Sequence, residues 1–264
     1  SCKSKKIIRR AAVNKKLAIF AQTTRYTTMK RTILPTIMAI MLAACGSDGS
    51  SSTAPDIPDD PEGAKTTLLE RGKSTFLDET AGTVKLDNEG RLQGENLFFS
   101  TAGKRDGISY ITRIPTYPWN TYSDILQKGY GYIIGNKIEN GAMFTRLFVE
   151  NIDTVSGSVK VKSESPFYSD GEKFYFNHKA LVLSVERGDT TVVLTKPTTY
   201  NVELASGEWA NIEPHITYIR LNFSENRSGE MRRDTLIFSN DRFDEARIPL
   251  IQLNYSLKDP ILGI

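Results

Sequence analysis

The chain has 264 residues, of which 39% are hydrophobic and 25% are charged, with a formal net charge of +3 and two cysteines. The charges are unevenly placed, because residues 1 to 44 hold 10 of the 34 Lys and Arg and none of the 31 Asp and Glu. The remaining residues therefore carry 24 − 31 = −7. Clustered cations are what bind a phosphate backbone, so this acidic remainder excludes nucleic acid as a partner.

Residues 1 to 28 form a basic segment with eight Lys and Arg and no acidic residue. A polybasic arm of this kind can bind nucleic acid. A second, well-formed start follows at Met29, however, and a segment upstream of a signal peptide is discarded with it. We interpret residues 1 to 28 as the product of an over-extended translation start.

Residues 29 to 44 have the three parts of a secretory signal peptide: the basic start Met29-Lys30-Arg31, the apolar run Thr32 to Leu42, and small residues before a cleavage point. The run of 11 residues is shorter than the roughly 20 that a membrane-spanning helix needs. Leu42-Ala43-Ala44-Cys45 resembles the lipobox of bacterial lipoproteins, which implies that Cys45 is acylated and becomes the first mature residue.

Residues 45 to 63 are rich in Ser, Gly, Pro and Asp, which predicts a flexible tether. The lipobox resemblance implies an outer-membrane lipoprotein that faces the periplasm or is exposed at the cell surface. Cys2 lies in the discarded leader and Cys45 carries the lipid, so the folded part is expected to be held by its core without disulfides. Residues 257 to 264 are interpreted as a C-terminal tail.

Residues 64 to 176 consist of short apolar runs broken by Gly, Asn and Asp, which predicts a β-rich domain with at most one or two helical turns, between Trp119 and Leu126. The predicted strands are Gly82 to Leu86, Asn96 to Ser100, Ile108 to Ile114, Gly131 to Gly135, Phe144 to Ile152, Ser158 to Lys162 and Lys173 to Phe176.

Residues 177 to 256 contain six further short strands at even spacing, which is typical of an immunoglobulin-like sandwich. These strands are Leu181 to Val185, Thr191 to Leu194, Tyr200 to Leu204, Thr217 to Phe223, Thr235 to Phe238 and Arg247 to Leu253. The predicted fold class is therefore all-β, with an N-terminal β-rich domain and a C-terminal immunoglobulin-like sandwich.

The second segment resembles the BACON domain through a tryptophan, an alternating strand, an Asn turn followed by Arg, and a closing strand ending in Gln. The residues that carry this resemblance are Glu208 to Pro214, Ile219 to Phe223, Glu225 to Gly229, Arg232, Arg233, Thr235 to Phe238 and Ile248 to Gln252. It implies an immunoglobulin-like sandwich of the kind found beside carbohydrate-active modules, and a buried position for Trp209. Pro249 departs from the pattern, because proline within a strand belongs at an edge or bulge.

The first segment is similar, more loosely, to domains of unknown function in surface lipoproteins of gut bacteria of the Bacteroidetes type. That likeness rests on Ile111 to Pro115, Trp119, Lys128 to Ile133 and Thr145 to Val149. No activity is implied by it.

No catalytic or metal-binding pattern emerges from the spacing of reactive residues, so the sequence predicts no catalytic residue, no metal and no cofactor. His178 and His215 have no second His at metal-ligand spacing. The glycines at 129, 131 and 135 approach a dinucleotide fingerprint, but an aromatic and β-branched run follows them where a helix is required. A spatial Ser-His-Asp site stays open, although no Gly-x-Ser-x-Gly motif is present.

The densest aromatic stretch, residues 117 to 122, supplies the candidate ligand site. Tyr and Trp rings stack on the apolar C–H faces of sugars and also offer a polar group. We expect Tyr117, Trp119 and Tyr122 to form an exposed cluster on a loop, with Trp119 acting either as a binding platform or as a plug over the core.

The sequence leaves three functions open. The first is a non-catalytic, lipid-anchored binding or adhesion module for glycans or glycoproteins. The second is a structural or assembly lipoprotein of a cell-envelope complex, and the third is an enzyme or enzyme accessory acting on glycans. Aromatic side chains grouped on one exposed face would favour the first, and a large apolar patch or an unpaired edge strand the second.

Replacing Cys45 by alanine should move the protein from the membrane fraction to the soluble fraction or leave it unprocessed, because stable anchoring needs the acyl chains. Fractionation of cells followed by mass spectrometry of the N-terminus measures both results. Membrane partitioning that is the same in the Cys45→Ala variant and the wild type would contradict the lipobox interpretation.

Overall fold

A computed structural model describes residues 59 to 255 of the protein. The predicted upstream extension, the predicted signal peptide, Cys45, the predicted tail and most of the predicted tether lie outside the described residues. Fifteen strands and one short 3₁₀ helix, Ile108–Tyr110, lie in the described part. The strands are β1 (Lys65–Leu69), β2 (Ser74–Asp78), β3 (Gly82–Leu86), β4 (Leu92–Gln93), β5 (Leu97–Lys104), β6 (Tyr130–Ile138), β7 (Gly141–Ile152), β8 (Val159–Glu164), β9 (Leu181–Leu183), β10 (Gly188–Val193), β11 (Tyr200–Leu204), β12 (Ala210–Pro214), β13 (Tyr218–Phe223), β14 (Arg232–Ser239) and β15 (Ala246–Gln252).

The predicted all-β fold is confirmed, and the strands form one large and two small sheets. The main sheet has nine strands in the order β1-β8-β7-β11-β14-β15-β9, with β6 on the other edge of β7 and β5 beyond it. The N-terminal small sheet is β2-β3-β4, and the C-terminal small sheet is β10-β13-β12. Within the described residues, no helix is long and apolar enough to cross a membrane.

The two small sheets cover opposite faces of the main sheet. Successive side chains of a strand point to opposite faces, and in β6 Ile133 joins one hydrophobic core while Tyr132 and Ile134 join the other. The larger core includes residues of β10 and β13, and the smaller core includes residues of β2, β3 and β4. Burial on both faces explains why β6 reads as a nearly continuous apolar run.

The C-terminal strands of the main sheet are buried on one face only. In β11 the side chains of Tyr200 and Val202 join the larger core, while Asn201 and Glu203 are exposed. This alternation has the period of two expected for a strand with one solvent-exposed face. The predicted bounds of this strand match the structure.

Strand β7 joins the two halves of the main sheet. One edge pairs with β6 from Gly141 onward, and the other edge pairs first with β11 and then, from Arg146, with β8. The described residues accordingly form one compact unit. The boundary predicted between residues 176 and 177 is crossed by this sheet and by the larger core. The division into two domains stays a prediction, and such domains would share a sheet.

The predicted strand over Ile108 to Ile114 is wrong, because this segment forms a 3₁₀ helix followed by an extended loop. Ile108 and Ile111, three residues apart across the single 3₁₀ turn, are both buried, and Ile114 of the loop is buried as well. The guanidinium group of Arg146, on β7, also donates hydrogen bonds to the carbonyls of Ile108 and Ile111, at 3.2 and 2.7 Å. These bonds fix the turn against the main sheet.

The predicted helical turns between Trp119 and Leu126 are absent from the described residues, where this segment is extended. The backbone of Asn120 exchanges two hydrogen bonds with Phe99 of β5, at 2.8 and 3.0 Å, and the N–H of Ser123 donates to the carbonyl of Leu92. Backbone N–H and C=O groups at the edges of β5 and β4 need hydrogen-bond partners. The extended segment from Asn120 to Ser123 supplies partners for some of them. The predicted strand over Lys173 to Phe176 is a single bridge to Leu194.

Pro249 occupies the position that its ring requires. Strand β15 pairs with β14 along its whole length, but its pairing with the parallel strand β9 begins only at Leu250. Pro249 therefore lies at a part of the strand that has one neighbour, where a missing N–H interrupts no second ladder.

Replacing Gly141 by alanine should lower the free energy of unfolding by about 2 to 3 kcal/mol, because an added Cβ would lie 1.9 Å from the carbonyl oxygen of Tyr200 and would force β7 away from β11. Urea unfolding followed by tryptophan fluorescence measures the change. Gly63→Ala is the control, because nothing lies within 4 Å of its added Cβ, and it should change stability by less than about 0.5 kcal/mol. Equal midpoints for the two variants would contradict the close approach.

Candidate functional site

The structure exposes two of the three aromatic residues proposed from the sequence. Tyr117 is 74% exposed and Tyr122 is 54% exposed. The guanidinium carbon of Arg91 lies 5.5 Å from the centroid of the Tyr122 ring, which is within the range of a cation–π contact. Tyr122 also forms a bridge with Gln93 of β4, so the small sheet holds its backbone.

Trp119 is half-buried and faces the larger core. Its ring centroid lies 5.7 Å from that of Phe144, with the planes tilted by 54°, and its indole N–H donates to the carbonyl of Pro115 at 3.1 Å. These contacts are those of a plug over the core, the second of the two roles expected for it. The exposed part of the predicted cluster is therefore Tyr117 and Tyr122.

A concave site lies at one end of the C-terminal small sheet, where β10 and β12 begin and β13 ends. This cleft has a volume of about 780 Å³, within the range of ligand-binding pockets. The residues that line it are Arg187, Gly188, Asp189, Glu208, Trp209, Ala210, Asn211, Asn222, Phe223, Ser224 and Glu225. Sequence reasoning identified some of these residues as part of a fold motif but did not identify them as a site.

Strand register places three polar side chains of the cleft in one row. Asn222 of β13 pairs with Asp189 of β10 on one side and with Asn211 of β12 on the other. Directly paired residues project from the same face of a sheet, and neighbouring Leu221 and Phe223 face the core. The row of one carboxylate and two amides therefore faces away from the core.

Trp209 stands beside this row, just before β12. It is half-buried and packs against the larger core, so the buried position expected for it is reached only in part. Its carbonyl accepts hydrogen bonds from the N–H and the hydroxyl of Ser224, at 3.0 and 3.2 Å. The backbone of the tryptophan is thus fixed to the end of β13, and Trp209 is one of the residues that line the cleft.

Asp234 anchors the turn that leads into Trp209. Its carboxylate accepts hydrogen bonds from the N–H and hydroxyl of Ser206, at 3.0 and 2.7 Å, and from the N–H groups of Gly207 and Thr235. Burial alone would raise the pKa of Asp234, but these hydrogen bonds outweigh it and hold the pKa below its ordinary value.

Two of the carboxylates in the cleft have arginine partners. The Oδ2 atom of Asp189 lies 3.5 Å from Nε of Arg220, and the Oε2 atom of Glu225 lies 2.7 Å from Nη2 of Arg227. Ion pairs of this kind orient a carboxylate and leave acceptor positions on its oxygens, so both groups are suited to accept hydrogen bonds from a bound ligand.

The two histidines are not among the residues that line the cleft. His178 is exposed, and His215 stacks on Tyr218 with ring centroids 4.2 Å apart. Burial, and then the nearby Lys137, lower the pKa of His215 against the opposing effect of Glu213. Between residues 59 and 255 no group of three His, Cys, Asp or Glu is placed to hold a metal ion.

Comparison of the chain with protein-family models, with curated proteins and with solved structures found no match. The resemblance to the BACON domain therefore stays a prediction.

Replacing Asp234 by asparagine should lower the free energy of unfolding by about 2 kcal/mol, because an amide cannot accept all the hydrogen bonds that the carboxylate accepts. The folded pKa of Asp234 lies below the unfolded value of about 3.9. Its stabilisation is therefore complete above that pH and is lost as pH falls through the folded pKa. Melting temperatures from pH 2 to 7 should show a smaller acid-induced fall in Asp234→Asn than in the wild type, and parallel curves would contradict this role.

Proposed function

We propose that the protein is a non-catalytic glycan-binding module, held at the outer membrane by a lipid on Cys45, and that the cleft beside Trp209 is its binding site. The observation that carries the proposal is the cleft itself, which brings a tryptophan together with acidic and amide residues around about 780 Å³. Tyr117 and Tyr122 are exposed aromatic residues outside this cleft, and glycan binding by them stays a prediction from the sequence.

The composition of the cleft suits a sugar. Each sugar ring has apolar C–H faces and a rim of hydroxyl groups. An aromatic ring offers the C–H faces a large and rigid contact area. The carboxylate of Asp189 accepts hydrogen bonds from hydroxyl groups, and the amides of Asn211 and Asn222 both donate and accept. One row of such side chains can therefore follow the hydroxyl rim of a ring that lies against Trp209.

The supports of the cleft favour binding. Trp209 is held through Ser224 and through the turn that Asp234 anchors, and a preformed site loses little entropy on binding. Asp189 and Glu225 are each paired with an arginine, which orients their oxygens as hydrogen-bond acceptors. Lipid anchoring rests on Leu42 to Cys45 in the sequence.

The test is a glycan array probed with the purified full chain, followed by dissociation constants for the glycans that bind. Asn211→Ala should weaken binding about tenfold, because it removes a polar group that faces the ligand. Trp209→Phe should also weaken binding while keeping most of the core contact that Trp209→Ala would lose.

Asn201→Ala is the matched control, because Asn201 is also an exposed asparagine on a strand but lies on the main sheet away from the cleft. It should bind like the wild type. An array with no bound glycan, or equal losses in Asn211→Ala and Asn201→Ala, would overturn the proposed site.

A further inference from the structure

A second, smaller hollow lies between the end of β5 and the loop that follows the 3₁₀ helix. Its volume is about 220 Å³, and the residues that line it are Thr101, Ala102, Arg105, Ile111, Thr112, Arg113 and Pro115. This volume is below the 300 to 1,000 Å³ of typical ligand pockets, so the hollow, called here the basic pocket, fits one charged group or one sugar ring.

The two arginines have no acidic partner within the described residues. Several other arginines are ion-paired there, among them Arg146 with Glu164 at 2.5 Å and Arg247 with Glu245 at 2.7 Å. Arg105 donates to the backbone carbonyl of Lys104 at 2.8 Å, which leaves most of its donors open. Two guanidinium groups at one hollow attract an anion, and their planar donors match a carboxylate.

The wall that carries Arg113 is held in place before any ligand binds. Arg146 holds the carbonyl of Ile111, and the N–H of Ile114 donates to the hydroxyl of Ser169 at 2.8 Å. The N–H of Asp170 donates to the carbonyl of Thr112 at 2.9 Å. The basic pocket is therefore a preformed feature of the fold, which lowers the entropy cost of binding.

An exposed aromatic residue follows the lining residue Pro115 closely in the chain. Tyr117 is two residues beyond Pro115, so their Cα atoms lie within about 7 Å of each other. Pro115 is itself fixed, because its carbonyl accepts the indole N–H of Trp119. Tyr117 is 74% exposed, which leaves its face open to a ring whose charged group enters the pocket.

We propose that the basic pocket binds the carboxylate of an acidic sugar through Arg105 and Arg113, with Tyr117 stacking on the sugar ring. The sugar part of this inference rests on the proposed glycan binding, whereas the site is a different one from the cleft beside Trp209. The protein would then distinguish glycans that contain a uronic acid from neutral ones.

Ligand-observed NMR titrations of the full chain with glucuronate, glucose and acetate, at equal ionic strength, test the proposal. The wild type should bind glucuronate more tightly than either acetate or glucose. The double variant Arg105→Gln/Arg113→Gln should weaken glucuronate binding about tenfold or more, because each neutral substitution removes a charged donor. Tyr117→Ala should weaken the binding of glucuronate and leave that of acetate unchanged.

Arg233→Gln is the matched control, because Arg233 is an exposed arginine on β14 outside the residues that line the pocket. It should bind glucuronate like the wild type. Undetectable glucuronate binding by the wild type, equal affinity for glucuronate and glucose, or equal affinity in the double variant and Arg233→Gln would each overturn the proposal.

The Trp209→Phe variant separates this inference from the proposed function. Unchanged glucuronate binding in that variant supports a separate basic pocket, even where neutral glycans fail to bind the cleft. Loss of glucuronate binding in Trp209→Phe, with normal binding in the double arginine variant, would assign the acidic sugar to the cleft and overturn the basic pocket.

Discussion

The pairing of β7 with three neighbouring strands is the constraint on which the rest of the fold depends. Its first two residues pair with β11. Along the same edge, the residues from Arg146 onward pair with β8. This change of partner requires the backbones to approach closely, and Gly141 permits it because it has no Cβ. The two halves of the chain therefore share one sheet, and each small sheet can cover a different face of it.

The larger core depends on one buried hydroxyl as well as on apolar contact. Tyr200, at the start of β11, is fully buried against Phe238, and its hydroxyl donates to the carbonyl of His215 in the loop between β12 and β13. Burial raises the pKa of Tyr200, so the hydroxyl stays protonated and remains a donor. This hydrogen bond ties the main sheet to the C-terminal small sheet, whose far end carries the cleft.

Both proposed sites lie where a strand ends or a loop is held against a sheet. The cleft takes its polar row from the register of β10, β13 and β12, and its tryptophan from the turn that Asp234 anchors. The basic pocket takes its wall from a loop that Arg146 holds. In each case polar side chains away from the ligand surface position the groups that face it, as binding sites generally require.

The sequence by itself determined the all-β class, the strand at Tyr200–Leu204, the edge position of Pro249 and a candidate lipid attachment at Cys45, because these depend on local periodicity and short motifs. It did not determine the turn at Ile108, the extended segment around Asn120 or the cleft beside Trp209. Arg146 and Phe99 lie far along the chain from the segments that they hold. Contacts of this kind, and the register that aligns Asp189, Asn222 and Asn211, are made only when distant strands pair in the folded protein.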